Sequence, residues 1–178
     1  MVVERSGPAS PIGDGIAVSN AFSDGQTIVV LVEGYGKYQF QLDYGPWQNS
    51  NVFNNVSPGE HEVHVRDVAT DNPCDEFNIL IDRVSVIDYP NFFTPNGDGY
   101  NDTWNIIGMW GDDFIGTEIY IFDRYGKLIK QLSPAFDSDG WDGTFNGAQM
   151  PADDYWFTVT YREGGVTKEF KAHFALKR

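Results

Sequence analysis

Apolar residues recur along this chain with a period of two rather than 3.6. The runs are short and bounded by Gly, Asn, Asp and Pro, the pattern of β-strands joined by tight turns. Residues 26–33 (QTIVVLVE) are apolar on both parities and predict a central strand covered on both faces. Residues 37–44 (KYQFQLDY) alternate, with Tyr38, Phe40, Leu42 and Tyr44 on one face and Lys37, Gln39, Gln41 and Asp43 on the other. A turn at Gly45-Pro46 leads to a short strand at 51–53. Ser57-Pro58-Gly59-Glu60 then turns into 60–68, where His61, Val63 and Val65 share a face. Residues 77–83 (FNILIDR) make one more strand. These pieces predict a small Ig-like β-sandwich over residues 14–83, after a lead-in at 1–13.

Residues 84–93 (VSVIDYPNFF) continue as strand-like sequence without a flexible linker, so a second unit is expected over 84–178. It holds an extended stretch at 103–108 and a hairpin, EIYIFDRYGKLIKQL, turning at Arg124-Tyr125-Gly126-Lys127. Two last strands, 154–161 and 166–176, flank Arg162-Glu163-Gly164-Gly165, whose glycine pair supplies the positive φ of a tight hairpin. On the final strand Phe170, Ala172, Phe174 and Leu176 share one face. A helical turn is expected only near Trp110–Phe114. The fold class expected is all-β, as two consecutive Ig-like β-sandwich domains.

Composition agrees and narrows the function. Of the 178 residues, 41% are hydrophobic and 15% aromatic, enough for packed cores and against intrinsic disorder. The formal charge is -14, which leaves no basic surface for nucleic acid. Residues 1–88 carry a net -9 and residues 89–178 a net -5, yet Lys168 to Arg178 carries +3. That basic end reads either as lysines guarding an edge strand against aggregation or as a feature a partner recognises. The lone cysteine, Cys74, excludes an internal disulfide or a zinc cluster. No apolar run reaches the ~18–20 residues of a membrane span, and the first residues do not read as a signal peptide. The expectation is a cytosolic chain or a piece of a longer exported protein.

Catalytic patterns are absent from the sequence: no HExxH, GxSxG, P-loop or GxGxxG occurs. His61 and His64 stand three apart on a strand and point to opposite faces. The loop Thr94-Pro95-Asn96-Gly97-Asp98-Gly99-Tyr100-Asn101-Asp102 is the most specific local feature. Asn96, Asp98 and Asp102, with the Tyr100 carbonyl, have oxygen spacing suited to Ca2+. The alternative is a loop whose Asx side chains cap their own backbone. A second acidic loop offers Asp137, Asp139 and Asp142, where the favoured reading is that Asp142 caps a turn seating Trp141 in the core. Trp47 and Trp110 lie in loop contexts and are candidates for stacking sugar rings, whereas Trp104 and Trp156 sit in strand patterns and are expected in the core.

In the second unit, FFTPNGDGYNDTWNI, IYIFDRYGKLI, WDGTFNGAQMPADDYWFTVTY and FKAHFALKR follow one another. This series resembles the gliding-motility-associated C-terminal domain, also described as the type B sorting domain of the type IX secretion system. The departures are small: Asp123 stands for the family's usual Asn, Tyr125 for a frequent Trp, and Ala152-Asp153-Asp154 for Ser-Gly-Thr. Residues Tyr35 to Cys74 are similar to one repeat of the SprB-type gliding adhesins. The resemblance implies a non-enzymatic secretion and attachment signal at the end of a cell-surface adhesin. Its implied partners are the type IX translocon with its shuttle proteins and a PorP/SprF-type outer-membrane protein. By that analogy recognition falls on Phe170, Phe174, Leu176, Lys177 and Arg178, on a strand edge to which partners can add. The alternative is a carbohydrate-binding or calcium-stiffened spacer module attached to an exported enzyme.

Overall fold

A computed structural model of the chain describes residues 7–68, 78–137 and 139–178. The chain falls into two compact units, Met1–Val86 and Ile87–Arg178. Both are all-β, as the alternation predicts. Cys74 lies outside the described residues.

The first unit has six strands: β1 (Ser10–Val18), β2 (Thr27–Glu33), β3 (Tyr38–Leu42), β4 (Val52–Asn54), β5 (Gly59–Asp67) and β6 (Asn78–Val86). They form two antiparallel sheets, ordered β1-β2-β4 and β3-β5-β6. Ile28 and Val30 from the first sheet pack with Phe40, Val63, Val65, Val84 and Val86 from the second. Burying these apolar side chains is the main driving force for the unit.

Three expectations change here. Part of the 1–13 lead-in is structural, because β1 begins at Ser10 and Ala9 is buried. Pro11, Gly13 and Gly15 interrupt its alternation, and its pairing with β2 shifts register between Pro11 and Ile16. Tyr44 does not continue the inward face of β3. The chain has already turned at Asp43, whose φ is 50°, and the Tyr44 ring is exposed. Finally, β6 runs past Arg83 to Val86. His61 pairs with Val84 but Val63 pairs with Ile81, so two residues of β6 oppose one of β5. This β-bulge, with Arg83 at φ 57°, moves the inward positions from Ile79 and Ile81 to Val84 and Val86. The parity break at residue 83 is therefore a kink inside one strand, and the units divide after Val86.

The second unit contains β7 (Phe92–Phe93), β8 (Glu118–Phe122), β9 (Leu128–Leu132), β10 (Thr144–Phe145), β11 (Ala148–Gln149), β12 (Asp153–Glu163) and β13 (Val166–Leu176). A 3-10 turn covers Asp112–Phe114, inside the expected helical turn. The main sheet has the order β7-β13-β12-β8-β9. Strands β12 and β13 pair antiparallel over their whole length without a slip, and β7 adds in parallel at Ala175 and Leu176. Residues 103–108 form no full strand; isolated bridges fix them instead, Trp104 with Trp141 and Ile107 with Asp88.

The inward positions of the main sheet, including Ile119, Ile121, Tyr155, Phe157, Val159, Phe174 and Leu176, are buried together with Phe93, Trp104, Ile106, Met109 and Trp141. Trp104 stacks on Phe174 with 3.9 Å between centroids and 11° between planes. Its indole N–H donates to the Pro90 carbonyl at 2.8 Å, so this fully buried ring leaves no polar atom unpaired. Trp141 solves the same problem by donating to the Thr144 carbonyl at 2.8 Å.

Trp156, expected in the core, is not buried. It lies on the outward parity of β12, between Tyr155 and Phe157, and is 43% exposed. Its neighbour across the strands is His173, with 6.1 Å between rings. The two tryptophans should separate clearly in chemical denaturation. Trp104→Ala is expected to cost about 3–5 kcal/mol through lost burial and a cavity, and Trp156→Ala less than about 1 kcal/mol.

Candidate functional site

Three motifs distant in sequence meet around the end of β13. The glycine of Trp141-Asp142-Gly143 has φ 76°, and a methyl group there would lie 3.0 Å from Leu176, 3.2 Å from Pro95 and 3.4 Å from Phe93. Only glycine lets these chains approach so closely. Beyond Leu176 the chain end is tied down. The Lys177 amide donates to the Phe93 carbonyl at 3.0 Å. The Lys177 ammonium sits 3.9 Å from the centroid of the Phe92 ring, a cation–π contact. Arg178 donates from Nε to the Met150 carbonyl at 3.2 Å and from Nη2 to the Gly143 carbonyl at 3.3 Å.

The residues expected to carry recognition therefore divide. Phe174 and Leu176 are core side chains, 1% and 2% exposed. Phe170 is half-buried, with its ring 5.9 Å from both Phe157 and Tyr89. Lys177 and Arg178 are exposed and held in place. Phe92, Gly143 and Met150, which place these two cations, carry no sequence signal beyond lying in or beside the quoted motifs. At the other end of β13, Lys168 is ion-paired with Glu163 across the hairpin. That carboxylate holds the Lys168 ammonium above its ordinary pKa. Asp153, at the start of β12, pairs with Arg124, which pulls the carboxyl below the usual carboxylate range.

The Asn96–Asp102 loop has the self-capping arrangement. Asp102 accepts from the backbone amides of Gly97 at 2.7 Å and Asn96 at 3.0 Å through Oδ1, and from Gly99 at 2.7 Å through Oδ2. Asp98 Oδ1 accepts from the Tyr100 amide at 2.8 Å, and Asp98 Oδ2 from the Asn96 side-chain amide at 2.8 Å. The Asn96 side-chain Oδ1 accepts from the Asp98 amide at 3.0 Å. These hydrogens point at the oxygens a cation would need, and the described residues hold no cluster of three acidic, His or Cys ligands. In the second acidic loop Asp142 accepts from the amide and hydroxyl of Thr144, and Asp137 from the Ser133 amide. Both serve turns, and Trp141 is buried beside them.

The sugar-stacking candidates are both half-buried. The Arg66 guanidinium lies 4.1 Å from the Trp47 ring centroid and is itself held by Gln39, so one face of that indole is covered. His61 is buried, with Nδ1 against an Asp43 carboxylate oxygen at 2.9 Å and Nε2 against the Ser57 carbonyl at 2.8 Å. Neither ring nitrogen is left for a substrate. His64 turns to the other side of β5 and contacts Glu62.

Two outcomes follow for the loop. The Gly97 and Gly99 amides hold the Asp102 carboxyl below the usual range. A depressed folded-state pKa stabilises the protein above the unfolded value of about 4 and is lost as pH falls through the folded value. Asp102→Asn should lower the melting temperature at pH 7, and the gap to the wild type should close on acidification below about pH 4. Millimolar calcium, followed by the same thermal melts, should leave the wild-type melting temperature unchanged.

Comparisons with known proteins agree with this picture of the second unit. No curated protein matches the chain. Among solved structures, it is similar to the crystal structure of dimeric latent PorU from Porphyromonas gingivalis. The identity is 15% over 96% of this chain and 20% of that one, and the TM-score of 0.34 is too slight to bear on the fold. The sequence profile of the CHU_C type IX secretion signal domain matches residues 87–176, just over half of the chain and nearly all of the second unit. The chain belongs to the CHU_C type IX secretion signal domain family.

Proposed function

We propose that this chain is the C-terminal region of a secreted cell-surface gliding adhesin, in which residues 87–178 are the export and attachment signal. The observation that carries the reading is the family match over residues 87–176. In this reading the type IX translocon and its shuttle proteins take the chain across the outer membrane, and a PorP/SprF-type outer-membrane protein receives it at the cell surface. The role is non-enzymatic: a secretion signal is recognised, and no bond is made or broken. The first unit is an adhesin repeat, a reading that rests on the resemblance of residues 35–74 and on the sandwich around them.

The exposed cations at the chain end supply the recognition chemistry. Most of the surface charge is negative, so a fixed cationic pair offers a partner local contrast. Holding Lys177 on Phe92 and Arg178 on two carbonyls limits the entropy lost when a partner binds them. Phe174 and Leu176 act differently, by anchoring the strand that carries the pair.

Surface display in a cell with an active type IX system tests this. Removing residues 166–178 should abolish export, although that deletion also removes core side chains. The sharper variant is Lys177→Glu with Arg178→Glu, which leaves the sheet intact. It should cut surface display at least about tenfold, the loss of two charge-assisted contacts, while the purified protein keeps its melting temperature to within a few degrees. Normal display of both variants would sink the reading.

A further inference from the structure

We propose that the outer edge of β13 is a self-association surface that pairs antiparallel with β13 of a second copy of this chain. This goes beyond the secretion reading and does not depend on it. The amides of Ala175 and Lys177 point away from β12 and donate to Asn91 and Phe93. Because direction alternates along a strand, the backbone groups of Thr167, Glu169, Lys171 and His173 point the same way. All four residues are exposed, and among the described residues no backbone partner meets them. The open edge is bounded by the Gly164-Gly165 turn at one end and by β7 at the other.

Two features select a second copy over an arbitrary peptide. The first is length. The open stretch runs from Thr167 to His173 and is centred on Phe170, so a two-fold axis there lays one open stretch against the other with no overhang. Thr167 then faces His173 of the other copy, and Glu169 faces Lys171, in up to about eight backbone hydrogen bonds. The second is charge. Glu169 and Lys171 stand two apart on one face and pair within the chain at 3.1 Å. An edge lysine ordinarily opposes association, but here its charge is matched by its neighbour.

In the register centred on Phe170 each Glu169 meets a Lys171 across the junction, on both sides of the axis. Centring on residue 169 would set Glu against Glu, and centring on 171 would set Lys against Lys. The charge order thus favours the same register as the length. Lys168 adds no repulsion, because Glu163 neutralises it. At the axis the two half-buried Phe170 rings face each other as a non-hydrogen-bonded pair, where cross-strand side chains come closest. The result is one continuous sheet through both copies.

Sedimentation velocity on the full chain across a wide concentration range tests this. The wild type should show a concentration-dependent monomer–dimer equilibrium. Glu169→Lys and Lys171→Glu should each weaken it at least about tenfold, since both cross-strand pairs become like-charged. The double variant Glu169→Lys with Lys171→Glu should restore it to within a few-fold. Lys171→Pro, which removes only an outward amide, should abolish the dimer. Melting curves on every variant separate lost association from lost folding. A wild type that stays monomeric throughout, or a dimer unmoved by the single charge reversals, overturns the proposal. So does a double variant no better than the singles, or an edge that takes a foreign peptide but never its own kind.

Discussion

The stack of Trp104 on Phe174 is the contact on which the second unit depends. It joins the last strand, which closes the main sheet, to a segment too irregular to form a sheet of its own. Residues 103–109 hold their place by exchanging two backbone hydrogen bonds between Trp104 and Trp141, at 2.9 and 2.8 Å, and by burying Ile106 and Met109. Phe174 also lies within about 6 Å of Phe93, Trp141, Tyr155 and Phe157. One aromatic side chain near the C-terminus therefore meets β7, β12, the 103–109 segment and the Trp141 turn. A fold built this way is not complete until its final residues are in position.

That constraint explains why the motifs sit where they do. The Trp141-Asp142-Gly143 turn has to bring an indole into the core and, two residues later, let Leu176 pass against bare backbone. Asp142 fixes the turn by accepting from Thr144, and Gly143 supplies both the positive φ and the missing Cβ. The Asn96–Asp102 loop follows directly after β7, the strand that holds the chain end. Its two acidic residues accept from four backbone amides, and Asn96 accepts from a fifth. The charges there organise the chain locally.

Much of this was legible in the sequence, for a physical reason. Period-two alternation is a direct imprint of a sheet with one buried face, and β12 and β13 obey it over eleven residues each without a bulge. Where the alternation breaks, the local pattern misleads. The bulge at Arg83 looked like a boundary, and the glycines and proline of β1 hid a strand. Trp156 shows the opposite error, a large aromatic assigned by size although its parity placed it outside. The candidate site was legible only in part. Lys177 and Arg178 stood out as charges on an acidic chain, but what holds them is a ring and two carbonyls brought from residues 92, 143 and 150, and no local pattern encodes such a meeting.

The same geometry assigns different work to the two sides of the last strand. Toward β12, the backbone of Val166, Lys168, Phe170, Ala172, Phe174 and Leu176 is committed to the ladder, and the side chains from Lys168 onward at these positions are half-buried or in the core, whereas Val166 at the turn is exposed. The other side has a closed end and an open one. At the closed end β7 covers Ala175 and Lys177 and fixes the basic terminus; from Thr167 to His173 the edge has no backbone partner among the described residues. An uncovered strand is a hazard unless its charges prevent casual pairing, and Glu169 with Lys171 does so only for partners that lack the matching order. A chain carrying the same order in reverse meets no such barrier, and in antiparallel pairing a second copy of β13 is that chain.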